Sequence, residues 1–189
     1  MSEFEHLQPA GTDDDLLPVV NARDQLIGLK PRRLVHLQRL RHRAVHIAAL
    51  DGQGRLWLQQ RSASKDTYPG WWDLSATGHV DPGESYDEAA RRELREELGL
   101  RADPIYMTKL EAGERSGWEF HALYWLRWDG PIEGYDRREI QQLRPFTIEE
   151  VQAALVEQPP RWPMTPGVAD ALPHLLRAAG RAAANPMPR

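Results

Sequence analysis

The apolar positions change period several times along the chain, and each change marks an element. Ala44 to Leu50 is a nearly continuous apolar run, which predicts a buried strand. Leu56 and Leu58 then alternate with Trp57 and Gln59, as in a half-buried strand, after a turn at Asp51-Gly52-Gln53-Gly54. Upstream, Leu16 to Leu29 holds two short apolar pieces around Asn21-Ala22-Arg23-Asp24 and predicts a small hairpin. A loop from Ser62 to Gly70 leads into an extended stretch from Trp71 to Thr77. Ala90, Leu94 and Leu98 recur at helical spacing, so a helix is expected from about Tyr86 to Leu98, stopped by Gly99. Ile105–Ala112 and Glu119–Trp128 predict two further strands, and Glu139–Pro145 another. Thr147 and Glu150 form a capping box for a helix to about Glu157. Pro159, Pro160 and Pro163 then break the chain before a last helix from Pro166 to Ala179, which Pro173 is expected to kink or divide.

Mixed strands around one central helix, with helices at the end, predict an α/β (α+β) sandwich with a central mixed sheet. The 189 residues fit one domain and can bury a core of useful size. With 41% hydrophobic and 28% charged residues, the composition is that of a globular protein. The formal net charge of −4 gives no general attraction to nucleic acid, and no apolar run is long enough for a membrane span. The polar, acidic start lacks the features of a signal peptide, so a cytoplasmic protein is expected. The absence of cysteine excludes disulfides, thiolate zinc sites and a cysteine nucleophile. Lys30 to Arg43 is strongly basic and reads either as a solvated face with a short helix or as a positive rim for an anionic ligand.

The chemistry gathers on the central helix. Glu93, Glu96 and Glu97 stand at i, i+3 and i+4 and therefore share a face, where like charges repel. Solvation would explain such a cluster. So would a hard divalent cation, which takes oxygen ligands and neutralises them. The opposite face carries Ala90, Leu94 and Leu98 for the core.

The segment as a whole narrows the choice. Gly78, Glu84, Arg92, Glu93, Leu94, Glu96, Glu97, Gly99 and Leu100 occupy every fixed position of the pattern G-x5-E-x7-R-E-U-x-E-E-x-G-U, with U a bulky aliphatic residue. In this the chain resembles the Nudix hydrolase superfamily. The resemblance implies a loop–helix–loop motif in an α/β/α sandwich, with the Nudix domain over residues 14–158. Residues 1–13 would be an arm, 159–182 a helical extension and 183–189 a tail. It implies that Glu93, Glu96 and Glu97 bind Mg2+ or Mn2+, joined by the backbone carbonyl of Thr77. Glu84 and Arg92 would orient those acids, and Glu93 or Glu97 would help activate a water. A further acid often comes from outside the motif; Glu139 is the first candidate, with Glu114 and Glu119 behind it.

The flanking sequence, LRHRAVHIAALDGQGRLWLQQRSASKDTYPGWWDLSATGHVDPGES, is similar to the isopentenyl-diphosphate isomerase branch of these proteins. That likeness implies diphosphate contacts for Arg61 and Lys65, residue types suited to a forked and a point-charge grip on phosphate. It also places His42 and His79 at positions that serve the isomerase metal, with His36 a partial echo of a third. Of the two roles for His79, contact with substrate is preferred. Thr77 stands where the isomerases carry a cysteine, which argues against isomerisation. Trp71, Trp72, Tyr68 and Trp118 are either core residues or stacking surfaces; Trp72 is expected inside and Trp71 free to meet substrate.

The expected activity is metal-dependent hydrolysis of a diphosphate bond in a small molecule, such as a nucleoside diphosphate linked to another moiety. An isomerase-like activity, a non-catalytic Nudix ligand-binding module and RNA decapping are the rivals. A homodimer is compatible with the resemblance.

Overall fold

A computed structural model describes residues 15–184, with side chains described as far as 177. The arm expected over 1–13 and most of the tail lie outside the described residues. The elements are β1 (Leu16–Val20), β2 (Leu26–Pro31), α1 (Arg32–Leu37), β3 (His42–Leu50), β4 (Leu56–Arg61), β5 (Trp72–Asp73), β6 (Ala76–His79), α2 (Tyr86–Leu98), β7 (Ile105–Leu110), β8 (Glu119–Arg127), β9 (Ile140–Phe146), α3 (Ile148–Val156) and α4 (Pro166–Ala184). The predicted hairpin is the β1–β2 pair. The basic stretch yields only the short α1 before entering β3.

The main sheet is mixed. β3 runs parallel to β8 along its whole length, from His42 opposite Glu119 to Leu50 opposite Arg127. The other pairings are antiparallel, in the order β5-β4-β3-β8-β7, with β9 added to β4. The free edge of β3 is shared. β6 takes Ala44 to Ile47, and β4 takes only Ala49 and Leu50. At this seam Ser75 Oγ accepts from the Ala49 amide at 2.7 Å and donates to the Trp57 carbonyl at 2.5 Å. The sheet therefore opens on one side of β3, where the cleft described below lies.

Strand alternation explains the two cores. Val45, Ile47 and Ala49 of β3, with Ala122, Tyr124 and Leu126 of β8, face α2, whose Ala90, Leu94 and Leu98 complete one cluster. Burying Leu94 and Leu98 contributes about 1.5–3 kcal/mol each. Ala48, Leu50 and Leu123 face the other way, onto Trp72, Phe146, Val151, Val168, Leu172 and Leu175. The result is the expected α/β/α sandwich.

α2 has the predicted bounds. Gly99 closes it at φ 69°, in the left-handed region, and a capping box between Ser85 and Glu88, unread in the sequence, opens it. The box predicted for α3 forms between Thr147 and Glu150. Pro173 lies inside α4 without dividing it, and the helix runs past the expected Ala179 to Ala184. Pro173 is exposed while Ala171, Leu172 and Leu175 are buried, so the hydrogen bond it removes faces water and packing holds the helix together. Among the described residues no helix is long and apolar enough to cross a membrane.

Candidate active site

Of the signature residues, Gly78, Arg92, Glu93, Glu96 and Glu97 line one cleft of about 1170 Å³. Glu93 and Glu97 are buried at its floor, only 8% and 5% exposed, although each is a carboxylate. Glu96, one turn from Arg92, is more open. Burial pushes the pKa of both Glu93 and Glu97 up; for Glu93 the neighbouring Glu97 charge adds to this. For Glu97, Lys65, the Thr77 amide and Gln59 oppose the rise.

Arg92 is the hub that fixes these acids. Its Nε and one terminal nitrogen donate to Glu84 at 3.0 and 2.9 Å, and it also donates to the His79 carbonyl at 2.8 Å. The other terminal nitrogen reaches Glu93 at 2.6 Å and Glu96 at 3.1 Å. Thus one guanidinium ties the loop before α2, the end of β6 and the acid face of the helix together. Glu97 is held separately, by the Thr77 amide at 2.9 Å and Gln59 at 3.0 Å. Gly78 is required between them: a Cβ there would overlap the Glu93 carboxylate.

These residues fit a hard divalent cation. Three carboxylates lean toward one cleft, two of them buried beyond what one arginine neutralises, with strand backbone pressed against Glu93 through a glycine. Glu139 also lines the cleft and is ion-paired with Lys65.

Cationic side chains line the cleft together with the acids. Arg61, at the end of β4, donates to the Thr67 carbonyl at 3.0 Å and to Asp73 at 3.2 Å, and Asp73 accepts from Thr165 at 2.7 Å. Arg32, Lys65 and Arg115 line the same space. Of the basic segment 30–43, Arg32 reaches the cleft, whereas Arg43 pairs with Asp24 at 2.6 Å and Arg41 lies over Trp118. Trp72 is buried and Trp71 exposed, as the sequence suggested. Trp71 is not among the residues lining the cleft; its ring touches Tyr68, which is.

A second group lies beside the acids. His36, His42 and His79 have ring centroids 5.1–5.2 Å apart, and their ligand atoms and that of Glu119 fall within 4.8 Å of one another. His36, the partial echo of a third position, thus stands with the other two rings. Glu119 is held ionised despite its burial by hydrogen bonds from His121, His42 and His79. Burial pulls His79 down to about 4 and also lowers His36, leaving both rings neutral. His46 and His121, also in the cleft wall, were missed. Their only sequence signal was alternation with His42 and Glu119 on neighbouring strands.

The fold is thus an α/β/α sandwich whose central helix brings buried carboxylates to one cleft. Residues 40–168 match the NUDIX domain, and the chain belongs to that family. A Yersinia pestis protein named an uncharacterised Nudix hydrolase is 44% identical over 87 residues, 46% of this chain and 48% of that protein. The chain thus spans about half the length of that relative. An isopentenyl-diphosphate Delta-isomerase of Serratia proteamaculans is 39% identical over 126 residues, 64% of this chain and 70% of that enzyme. Among solved structures, the Deinococcus radiodurans protein DR0079 superposes with a TM-score of 0.72 at 28% identity, covering 84% of this chain and 98% of its own.

Proposed function

We propose that this chain hydrolyses the diphosphate bond of a small molecule, with a nucleoside diphosphate linked to a second moiety as the leading substrate class. The observation that carries the reading is the burial of Glu93 and Glu97 in a cleft that Arg61 and Lys65 also line. Glu93, Glu96 and Glu97 would hold Mg2+ or Mn2+, with the Thr77 carbonyl and Glu139 as further ligands. The ion supplies Lewis acidity toward a phosphoryl oxygen and toward water. Glu84 and Arg92 hold the acids in place. Arg61, pinned by Thr67 and Asp73, and Lys65 grip the diphosphate and stabilise charge on it. His79 reaches the substrate from β6, and Trp71, through Tyr68, extends the wall.

The test is a panel of diphosphate compounds assayed with Mg2+ and with Mn2+, with products from oxygen-18 water read by mass spectrometry. Glu97→Gln should lower turnover by at least about 100-fold, with the fold retained. An inert wild type across the panel, or equal turnover by the variant, overturns the reading.

One observation favours a second reading, isomerisation of isopentenyl diphosphate: His36, His79 and Glu119, which line the same cleft, form a group with His42. Thr77, in place of the isomerase cysteine, opposes it, because an alcohol gives up its proton far less readily than a thiol. Incorporation of deuterium from heavy water into isopentenyl diphosphate would decide in its favour. Tight ligand binding in Mg2+ without turnover would instead indicate a binding module.

A further inference from the structure

The hydrolytic reading leaves His46 and His121 without a task. They lie on the adjacent parallel strands β3 and β8, where Ala44 pairs with His121 and His46 follows two residues later on the same face. Their rings stack at 4.0 Å with 25° between planes. They are 7% and 4% exposed, and Nδ1 of each has no hydrogen-bond partner among the described residues. A buried polar atom left unpaired is costly, since it gives up water and gains nothing in return. Two such atoms in one place are not explained by packing, since the next positions on this face, Ala48 and Leu123, are apolar.

Glu119 completes the group. One of its oxygens is 3.2 Å from His42 Nε2 and 3.5 Å from His79 Nε2; the other is 2.9 Å from His121 Nε2. One ligand atom each from His46, Glu119 and His121 lies within 4.8 Å of the other two. Three donors bonded to one ion at about 2.0–2.2 Å stand roughly 3.3–3.8 Å apart, so the group needs to close by about 1–1.5 Å at most. A bound phosphate suits the place poorly, because Glu119 would face it. The group is also closely covered: a Cβ on Gly167 of α4 would come within 2.8 Å of His46 Cε1 and 2.9 Å of its Nδ1.

We propose that His46, His121 and Glu119 form a binding site for a borderline divalent transition metal such as Zn2+, Co2+ or Fe2+, separate from the carboxylates of α2. Two imidazoles and one carboxylate select such ions over Mg2+, which takes oxygen donors. The site is distinct in its ligands from the His36, His42 and His79 group, with which it shares only Glu119. It does not depend on the chain being a hydrolase.

The experiment uses the full chain, stripped of metal with a chelator and titrated with Co2+ in excess Mg2+. Bound cobalt is counted by elemental analysis after gel filtration, and ligation is read from visible ligand-field absorption. His46→Ala and His121→Ala should each bind about one molar equivalent less than wild type. His174→Ala, on α4, should bind the same amount as wild type. The proposal is overturned if folded His46→Ala and His121→Ala proteins keep the full complement at wild-type affinity, or if the wild type takes up no Co2+. Should the alanine variants unfold, proton NMR of the wild type decides. Large paramagnetic shifts of the His46 and His121 ring protons on adding Co2+ support the site, and unshifted rings refute it.

Discussion

Asp24 stands at the tip of the β1–β2 hairpin at φ 60°, a left-handed position that asparagine also tolerates. Its carboxylate accepts from Lys109 at 2.5 Å, Arg43 at 2.6 Å and Tyr86 at 3.0 Å. Burial raises its pKa, but the bonds from Lys109 and Arg43 outweigh burial and hold it below the ordinary 3.8. The folded pKa is therefore depressed, and the stabilisation is present above the unfolded pKa and lost as pH falls through the folded value. Asp24→Asn should cost about 1.5–3 kcal/mol at pH 7, with the difference shrinking in acid. Urea melts at pH 7 and pH 3 check this, and an equal loss at both would refute it. Glu93 has the opposite sign. Burial, then the Glu97 charge, raises its pKa above the ordinary 4.5. The folded state accordingly binds the proton more tightly, and the metal-free protein loses stability as pH rises from 4.5. Glu93→Gln, which keeps an acceptor for Arg92, should raise the metal-free melting temperature at pH 8 by roughly 2–4 °C per kcal/mol of relieved repulsion. With Glu93 a ligand of the ion, as proposed, the wild type should be stabilised by Mg2+ and this variant should not. Thermal melts with and without Mg2+ test both parts.

At the scale of elements, what was legible in the chain is what local chemistry decides. α2 was legible through the apolar face of Ala90, Leu94 and Leu98 and the glycine at 99 that closes it, though not through the Ser85–Glu88 cap that opens it. The shared acid face of Glu93, Glu96 and Glu97 followed from helical spacing alone. Trp71–Thr77, read as one extended stretch, is two strands, because Ser75 plugs the seam where β3 exchanges β6 for β4. No local signal reports that exchange, since it depends on pairing between distant segments. The same holds for His46, His121 and Glu119, which only the parallel β3–β8 register brings together. The contact of β6 with α2 carries a prediction of its own. Gly78→Ala puts a methyl into the Glu93 carboxylate, so strand or helix must move apart. A displacement of about 1 Å is enough to lower turnover about 100-fold. Steady-state kinetics and Mg2+ titration of this variant test the prediction, and wild-type rates would contradict the close fit.

Across the whole molecule, the segment after residue 158 is woven into both core and cleft. Trp72 donates its amide to the Pro163 carbonyl at 2.8 Å, and its carbonyl accepts from the Thr165 amide at 2.9 Å, so the incoming chain pairs with β5. Val168, Ala171, Leu172 and Leu175 of α4 then fill the second hydrophobic cluster against Trp72 and Phe146. Fully burying residues such as Leu172 and Leu175 contributes about 1.5–3 kcal/mol each, a large part of a net stability of about 5–15 kcal/mol. Thr165 also holds Asp73, which holds Arg61, so this segment supports the cationic lining of the cleft. A helical extension beyond a self-sufficient Nudix domain would predict that a chain ending at Gln158 melts cooperatively and keeps its activity. The packing predicts the reverse: the shortened chain exposes the face of Trp72, Leu58 and Leu123 and should lose its cooperative thermal transition. A chain ending at Ala184 should melt as the full-length protein does. Calorimetry of the two truncations separates these outcomes, and a sharp, reversible transition in the shorter one would show that the first 158 residues fold without α4.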